Sequence, residues 1–429
     1  MHSEWVPGAR DGYLRRNGRG EIQGLAAAPF HWNLMSANTS ARHGRGCTSY
    51  AGPCWRIGLG VQNMHSDFFS SVGLRQFVRL SLQIWAFGGL LSLFLPPLTP
   101  AVPAPESRRT LQIYFVDVEG GQATLFVTPE GQSLLIDTGW PGNDGRDADR
   151  IVAAAKLAGI SKIDYVLITH FHNDHVGGVP QLVARIPVGT FIDHGENRET
   201  TDGPTVQDWK AYQQVLGTGK FKRITAKPGD VLPIQGMRVS VVSSDGALID
   251  KPLPGAGAQN SACKNSEQRP ADQTENPRSL GTLITFGKLK LLDLGDLTWD
   301  KEMELMCPRN KLGKIDIYIV SHHGWLQSSS PALVYGIDPR VAIMDNGAKK
   351  GGTPSAWDII KASPHLEDLW QLHFSEEGGP AHNSPEPFIA NLSGPQDAAN
   401  YLKLTASADG TFDVFNSRTN TAKHYALAH

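Results

Sequence analysis

The sequence predicts an α/β fold, a four-layer αββα sandwich with an internal pseudo-two-fold. Three observations carry that prediction. Regular strand-like runs begin at Leu111 and alternate with stretches of helical spacing. SLLIDTG, a helix and KIDYVLITH in the first half are echoed in the second by KLLDLGD, a helix over Trp299–Met306 and KIDIYIVSH. Each half therefore reads as a hairpin, a strand ending at an acid, a helix, and a strand ending at histidine. Two such halves bury their sheets face to face with helices outside. Asp137, His170, Asp296 and the pair His322/His323 then share one rim.

Taken in order, LQIYFVDV, ATLFVTP and SLLIDTG are strands, the third ending at Asp137 before a glycine-rich turn. Apolar residues at helical spacing from Asp147 to Ala158 predict a helix that stops at Gly159. KIDYVLIT is a continuous apolar run, the kind buried on both faces. A short helix around VPQLVARI, a strand at TFIDH and a polar helix near Val206–Leu216 follow. MRVSVVSSD, TLITFG and KLKLLDLGD are further strands. Between the first two of these, Gly255 to Arg278 lacks periodicity and is rich in Asn, Gln, Pro and Ala, so a long loop is expected.

The charge distribution separates the first hundred residues from the rest. Residues 1–104 hold nine Arg, no Lys and four acids, whereas the remainder holds 31 bases and 38 acids. That acidic excess excludes a general basic surface, and no stable nucleic-acid complex is expected. From Leu80 to Leu95 the chain runs sixteen residues without a charge, behind Arg75 and Arg79, and Val102 and Ala104 then take the places of a small-residue cleavage site. A spanning helix needs about 20 apolar residues, so residues 64–104 read as a secretory signal peptide, with a retained N-terminal anchor as the alternative. Residues 1–63 are either an upstream extension, with translation starting at Met64, or a disordered arm. Residues 105–429 are then one exported domain, periplasmic or extracellular, touching membrane only through its N-terminal segment. Cys47 and Cys54 have no matching second pair for a metal site. Cys263 and Cys307 are one disulfide of an exported domain or two separate buried thiols.

Chemistry is concentrated after KIDYVLIT, at His170-Phe171-His172-Asn173-Asp174-His175. Neutral imidazoles and a carboxylate at this density suit Zn²⁺. His170 and His172 form one pair, leaving Asp174 and His175 to face a second position. His194, Asp296, His322 and His323 also follow strand-like runs, and such a surplus of ligands fits two metals bridged by a carboxylate, with Asp296 as the bridge.

With its HxHxDH motif at His170, His172, Asp174 and His175, the chain resembles the metallo-β-lactamase superfamily from about Leu111 to Ala428. FVDVEGGQATLFVTPEGQSLLIDTG, LLDLGD and VSHHG are most similar to the extracytoplasmic domain of DNA-uptake competence proteins and their stand-alone relatives. The resemblance implies one zinc on His170, His172 and His194, and another on Asp174, His175 and one of His322/His323, with Asp296 between them. Iron or manganese are the alternatives to zinc. Asp137 is expected to buttress the motif loop, Asp174 to orient the nucleophile, and the imidazole left over, such as His322, to protonate the leaving group. Gln122 stands where competence-type relatives usually carry an acid, and Thr353 where they carry His. Asn346, Lys349 and Lys350 on a glycine-rich stretch either bind an anionic substrate group or are simply solvated. The reading is a secreted dinuclear zinc hydrolase of a phosphodiester or other anionic ester, small or polymeric. A β-lactam or thioester hydrolase on the same metal core is the runner-up, and a non-catalytic binding module the third.

Overall fold

The computed structural model describes residues 5–7, 13–16, 22–23, 110–392 and 398–427. The chain divides into two compact units, Met1–Leu95 and Pro96–His429. In the first, β1 (Trp5–Pro7), β2 (Tyr13–Arg16) and β3 (Ile22–Gln23) pair antiparallel in that order. The apolar run at Leu80, the cleavage site, Met64, Cys47 and Cys54 lie outside the described residues. Among the described residues no helix is long and apolar enough to cross a membrane.

In the second unit the chain lays down an antiparallel meander of β4 (Leu111–Phe115), β5 (Thr124–Val127) and β6 (Ser133–Ile136). It then changes to parallel pairing. Helix α1 (Arg146–Leu157) leads to β7 (Ile163–Leu167), α2 (Asn173–Val176) and α3 (Val179–Val183) to β8 (Val188–Asp193), and α4 (Gly203–Gly217) to β9 (Lys222–Thr225). Helix α1 ends where the sequence predicts, at Gly159, whose φ of 75° suits a residue without Cβ. The Asp202 side chain caps α4 by accepting from Thr205 N–H at 2.9 Å.

The second sheet repeats this plan. β10 (Arg238–Ser244), flanked by β11 (Ala247–Leu248), pairs antiparallel with β12 (Gly281–Phe286), and β12 with β13 (Leu289–Asp293). Parallel pairing follows through α5 (Trp299–Met306), β14 (Ile317–Ile319), α6 (Pro331–Ile337), β15 (Val341–Met344), α7 (Pro354–Lys361), β16 (Asp368–His373) and β17 (Ile389–Asn391). Antiparallel links followed by parallel ones in each half are the internal repeat that the sequence echo predicts. Three C-terminal strands, β18 (Leu402–Ala406), β19 (Phe412–Asn416) and β20 (Thr421–Tyr425), return to the first sheet, where β18 pairs antiparallel with β4.

Burial follows the four layers. The inner faces meet in one cluster that joins Ile113, Phe126 and Ile136 of the first sheet to Val239, Ile284, Ile317 and Ile343 of the second. Outside the first sheet, Ile151, Ala155 and Leu182 pack on Leu135 and Val166; outside the second, Met303, Leu333 and Ile360 pack on Leu292 and Ala342. Each fully buried Leu, Ile or Phe contributes about 1.5–3 kcal/mol, so the sandwich is held chiefly by these interfaces. The predicted loop from Gly255 to Arg278 has short 3-10 turns at Ser261–Asn265 and Asn276–Arg278. Of the two readings for its cysteine, the disulfide is found: Cys263 bonds Cys307 with Cα atoms 5.8 Å apart, fastening the loop to the end of α5.

Candidate metal centre

The centre is assembled where strands end. Past β6, Asp137 takes a left-handed φ of 60° and turns its carboxylate onto the next strand end. It accepts hydrogen bonds from Thr169 N–H at 2.8 Å, Thr169 Oγ1–H at 2.6 Å and His175 Nδ1–H at 2.7 Å. These bonds fix the turn after β7 and the direction of the motif. Gly121 lies against that turn, and a Cβ there would come within 2.4 Å of the Asp174 carbonyl oxygen.

Four buried residues converge: the ligand atoms of Asp174, His175, Asp296 and His323 lie within 4.8 Å of one another. His175 Nε2 is 3.1 Å from Asp174 Oδ2 and 3.3 Å from Asp296 Oδ2. His323 Nε2 is 3.2 Å from Asp174 Oδ2 and 3.4 Å from Asp296 Oδ1. His322 Nε2 and His170 Nε2 approach Asp296 Oδ2 at 3.4 and 3.8 Å. His170 Nε2 and His172 Nδ1 face each other at 3.0 Å. Asp296 thus stands between imidazoles from both halves.

Both His322 and His323 have left-handed backbones, φ 55° and 54°, a conformation that non-glycine residues rarely take and that the surrounding packing must impose. Gly352 N–H donates to the His323 carbonyl at 2.9 Å, and a Cβ on Gly351 would come within 2.1 Å of that same oxygen. The environment then separates the two rings. Burial pushes His322 down to about 4, against the pull of Asp296. At His323, burial and Lys350 act downward, yet the carboxylates of Asp296, Asp345 and Asp174 carry it up to about 10. Of the pair, His323 joins the four-residue group.

The imidazoles share a further pattern, in which one ring nitrogen is engaged away from the centre. Thr169 Oγ1, having given its proton to Asp137, accepts from His170 Nδ1–H at 3.1 Å. Ser328 Oγ, having donated to Leu297 O, accepts from His322 Nδ1–H at 3.3 Å. His172 Nε2 faces Glu199 Oε2 at 3.0 Å, whereas His323 Nδ1, 3.4 Å from Asp345 Oδ1, makes no hydrogen bond. Metal-binding histidines are oriented in this way, their second nitrogen committed to a carboxylate or other acceptor. Asp296 Oδ1 is buried without any hydrogen-bond partner. A fully desolvated carboxylate oxygen left unpaired beside several imidazoles is costly unless a cation completes it, so the donor set fits a divalent metal.

Other expected residues fall differently. His194 is not in the converging group; its Nε2 meets Glu275 Oε2 at 2.9 Å. Asn346 is consumed by the fold, its Nδ2 donating to the carbonyls of Gly347 and His373, so it is no substrate contact. Lys349 is exposed. Lys350 reaches the centre: its ammonium pairs with Asp174 and lies 4.9 Å from the Trp140 ring and 5.7 Å from the Trp325 ring. Burial would raise the Asp174 carboxyl, but Lys350 and His175 outweigh it and hold it well below the usual range. Gln122, at the position where an acid is usual, donates from Nε2 to Asp293 Oδ2 at 2.7 Å. Thr353 donates from Oγ1 to the Gly324 carbonyl at 3.1 Å. Glu199 and Glu275 carry no motif and sit in polar stretches, so sequence reasoning missed them.

Residues 116–259 match the family model described as the metallo-beta-lactamase superfamily. That stretch is a metallo-beta-lactamase superfamily domain. The chain is 26% identical over 276 residues to Recombination protein 2 of Haemophilus influenzae, covering 62% of this chain and 27% of that protein. It is 30% identical over 105 residues to hydroxyacylglutathione hydrolase of Stenotrophomonas maltophilia, covering 24% of this chain and 37% of that enzyme. The chain therefore spans well under half the length of both relatives. A metallo-beta-lactamase fold protein of Bacillus subtilis superposes over 61% of this chain and 95% of its own, with a TM-score of 0.38 and 11% identity.

Proposed function

We propose that this metallo-β-lactamase domain is a dinuclear, zinc-dependent hydrolase of a phosphodiester or other anionic ester, acting outside the cytoplasm. One observation carries the substrate class: Lys350, flanked by Trp140 and Trp325, brings a positive charge to the edge of the four-residue group. Asp174, His175, Asp296 and His323 would hold one ion; His170, His172 and His194 would hold the other, with Asp296 between them. Divalent ions bound there supply Lewis acidity, making water a nucleophile near neutral pH and drawing charge from the attacked oxygen. The chain's own groups do the rest. Asp174 accepts the proton side of an incoming water and orients it, and Lys350 exchanges its carboxylate partner for the anionic oxygen of the substrate. Export is supported by the apolar run at residues 80–95 and by the Cys263–Cys307 bond. Thioester hydrolysis is the second reading, favoured by the hydroxyacylglutathione hydrolase and acyl carrier protein thioesterase relatives.

The test is a panel of chromogenic phosphodiester, phosphomonoester, β-lactam and thioester substrates offered to the zinc-loaded protein, alongside metal analysis. Phosphodiester turnover that vanishes with chelator and is weakened in Lys350→Met supports the reading. Turnover confined to neutral esters or thioesters would overturn the substrate class.

A further inference from the structure

We infer that Glu275 and Glu199 are positioning residues for the first metal position, fixing the ring tautomers of His194 and His172. The inference rests on the dinuclear reading proposed above and assigns roles to two residues outside every motif. A carboxylate can only accept, so the 2.9 Å contact from Glu275 Oε2 requires that His194 Nε2 carry the proton. The basic lone pair is then on Nδ1, which is buried and has no hydrogen-bond partner. The His194 ring lies on Phe171, 4.4 Å between centroids, beside the residue that separates His170 from His172. At His172 the same logic holds: Glu199 takes Nε2–H at 3.0 Å, leaving Nδ1 as the nitrogen that faces His170 Nε2.

The two carboxylates are themselves tied together. Glu275 N–H donates to Glu199 Oε2 at 2.9 Å, so that one oxygen serves both His172 and the backbone of the second acid. Glu275 Oε1 accepts from Arg198 N–H at 2.6 Å, and Oε2 also accepts from Phe171 N–H at 3.4 Å. Glu275 is fully buried, which an unpaired structural carboxylate would not tolerate, and its bonds all lead to the motif or to the residues around Glu199. Its segment is the one the Cys263–Cys307 bond fastens to α5. The long polar loop thereby delivers a carboxylate that the strand ends do not supply.

Glu275→Gln tests this sharply. The amide oxygen goes to Arg198 N–H, and the NH₂ then faces His194 Nε2, which must accept; the proton moves to Nδ1 and blocks its lone pair. Glu199→Ala, which removes the acceptor of His172 Nε2–H altogether, is the second variant, at a more exposed position, should the first fail to fold. Each would be titrated with zinc against a chromophoric chelator, with metal-free thermal unfolding and ¹⁵N spectra of the histidine rings recorded in parallel. Expected are two ions in the wild type, a 10–100-fold loss of affinity for one of them in either variant, the other ion unchanged, and an exchanged His194 tautomer signal in the metal-free spectrum of Glu275→Gln. Wild-type affinities for both ions in both folded variants would overturn the inference. A wild-type chain that takes one ion overturns the dinuclear reading instead; the positioning role then stands if Glu275→Gln weakens that ion and falls if it does not.

Discussion

Glu302 lies on α5, wholly buried, with its carboxylate accepting the N–H groups of Ser329 at 2.8 Å and Ser330 at 2.6 Å. These residues open α6 and follow Ser328, the hydroxyl that engages His322. Burial pushes the Glu302 carboxyl up from 4.5 to about 7, more than the two N–H groups pull it down. The sign follows from proton binding. Between 4.5 and 7 the unfolded chain has released its proton while the folded chain retains it, so stability falls as pH rises and levels off above 7. A tenfold difference in proton affinity is worth about 1.36 kcal/mol, and integration from pH 5.0 to 8.5 gives a loss of about 2–3 kcal/mol. Glu302→Gln has no proton to lose. Its amide can satisfy only one of the two N–H groups, which costs about 1–3 kcal/mol at every pH. The gap between wild type and variant, read from urea unfolding of the chelator-treated protein with its disulfide intact, should therefore move by about 2–3 kcal/mol in favour of Gln from pH 5.0 to 8.5. A gap that moves by less than about 1 kcal/mol means that Glu302 is ionised in both states throughout, and refutes the reasoning.

Other expectations concern the centre and its support. Asp296→Asn should lower zinc-dependent turnover at least about a hundredfold and weaken one metal, with little change in the metal-free thermal midpoint; helix capping cannot rescue a null result, because Thr298 is the N-cap of α5. Lys350→Met removes a cation that competes for Asp174, so zinc affinity should rise by about tenfold, equivalent to about 1.4 kcal/mol, while KM for an anionic substrate rises; equal zinc affinity in a chelator competition contradicts this. Cys263→Ser opens a loop spanning 44 positions and should cost about 4 kcal/mol in urea unfolding, a difference that reducing the wild type should reproduce.

Legibility tracked periodicity and strand ends. Asp137, His170, Asp174, His175, Asp296 and His323 were readable because each follows an apolar run, and the repeated order of elements placed those ends on one rim. His194 was readable as a histidine after a strand, but its carboxylate partner sits 81 positions away in a loop without period, so the Glu275 contact left no local trace. Asn346 misled for the opposite reason: a polar residue at a strand end in a glycine-rich stretch resembles a ligand, yet the fold uses it to tie two backbones. The C-terminal strands did leave a signal, since Leu402, Leu404 and Ala406 alternate with Lys403 and Thr405 ahead of the Asp409-Gly410 turn. What no local pattern specified was that this ribbon would pair with the first strand of the domain rather than extend the sheet nearest to it in sequence.

That pairing has a consequence for how the molecule comes into being. β4 cannot acquire its outer neighbour until residues near 402 have been made, almost 300 positions later, because Leu404 sits opposite Ile113. Throughout synthesis the opening strand of the sheet presents an unpaired edge, with Ile113 and Phe115 ready to recruit a stray chain. A ribosome-bound or membrane-threading intermediate therefore cannot finish its first layer early, and the closing ribbon acts as a clasp that makes assembly of the two layers a single late event.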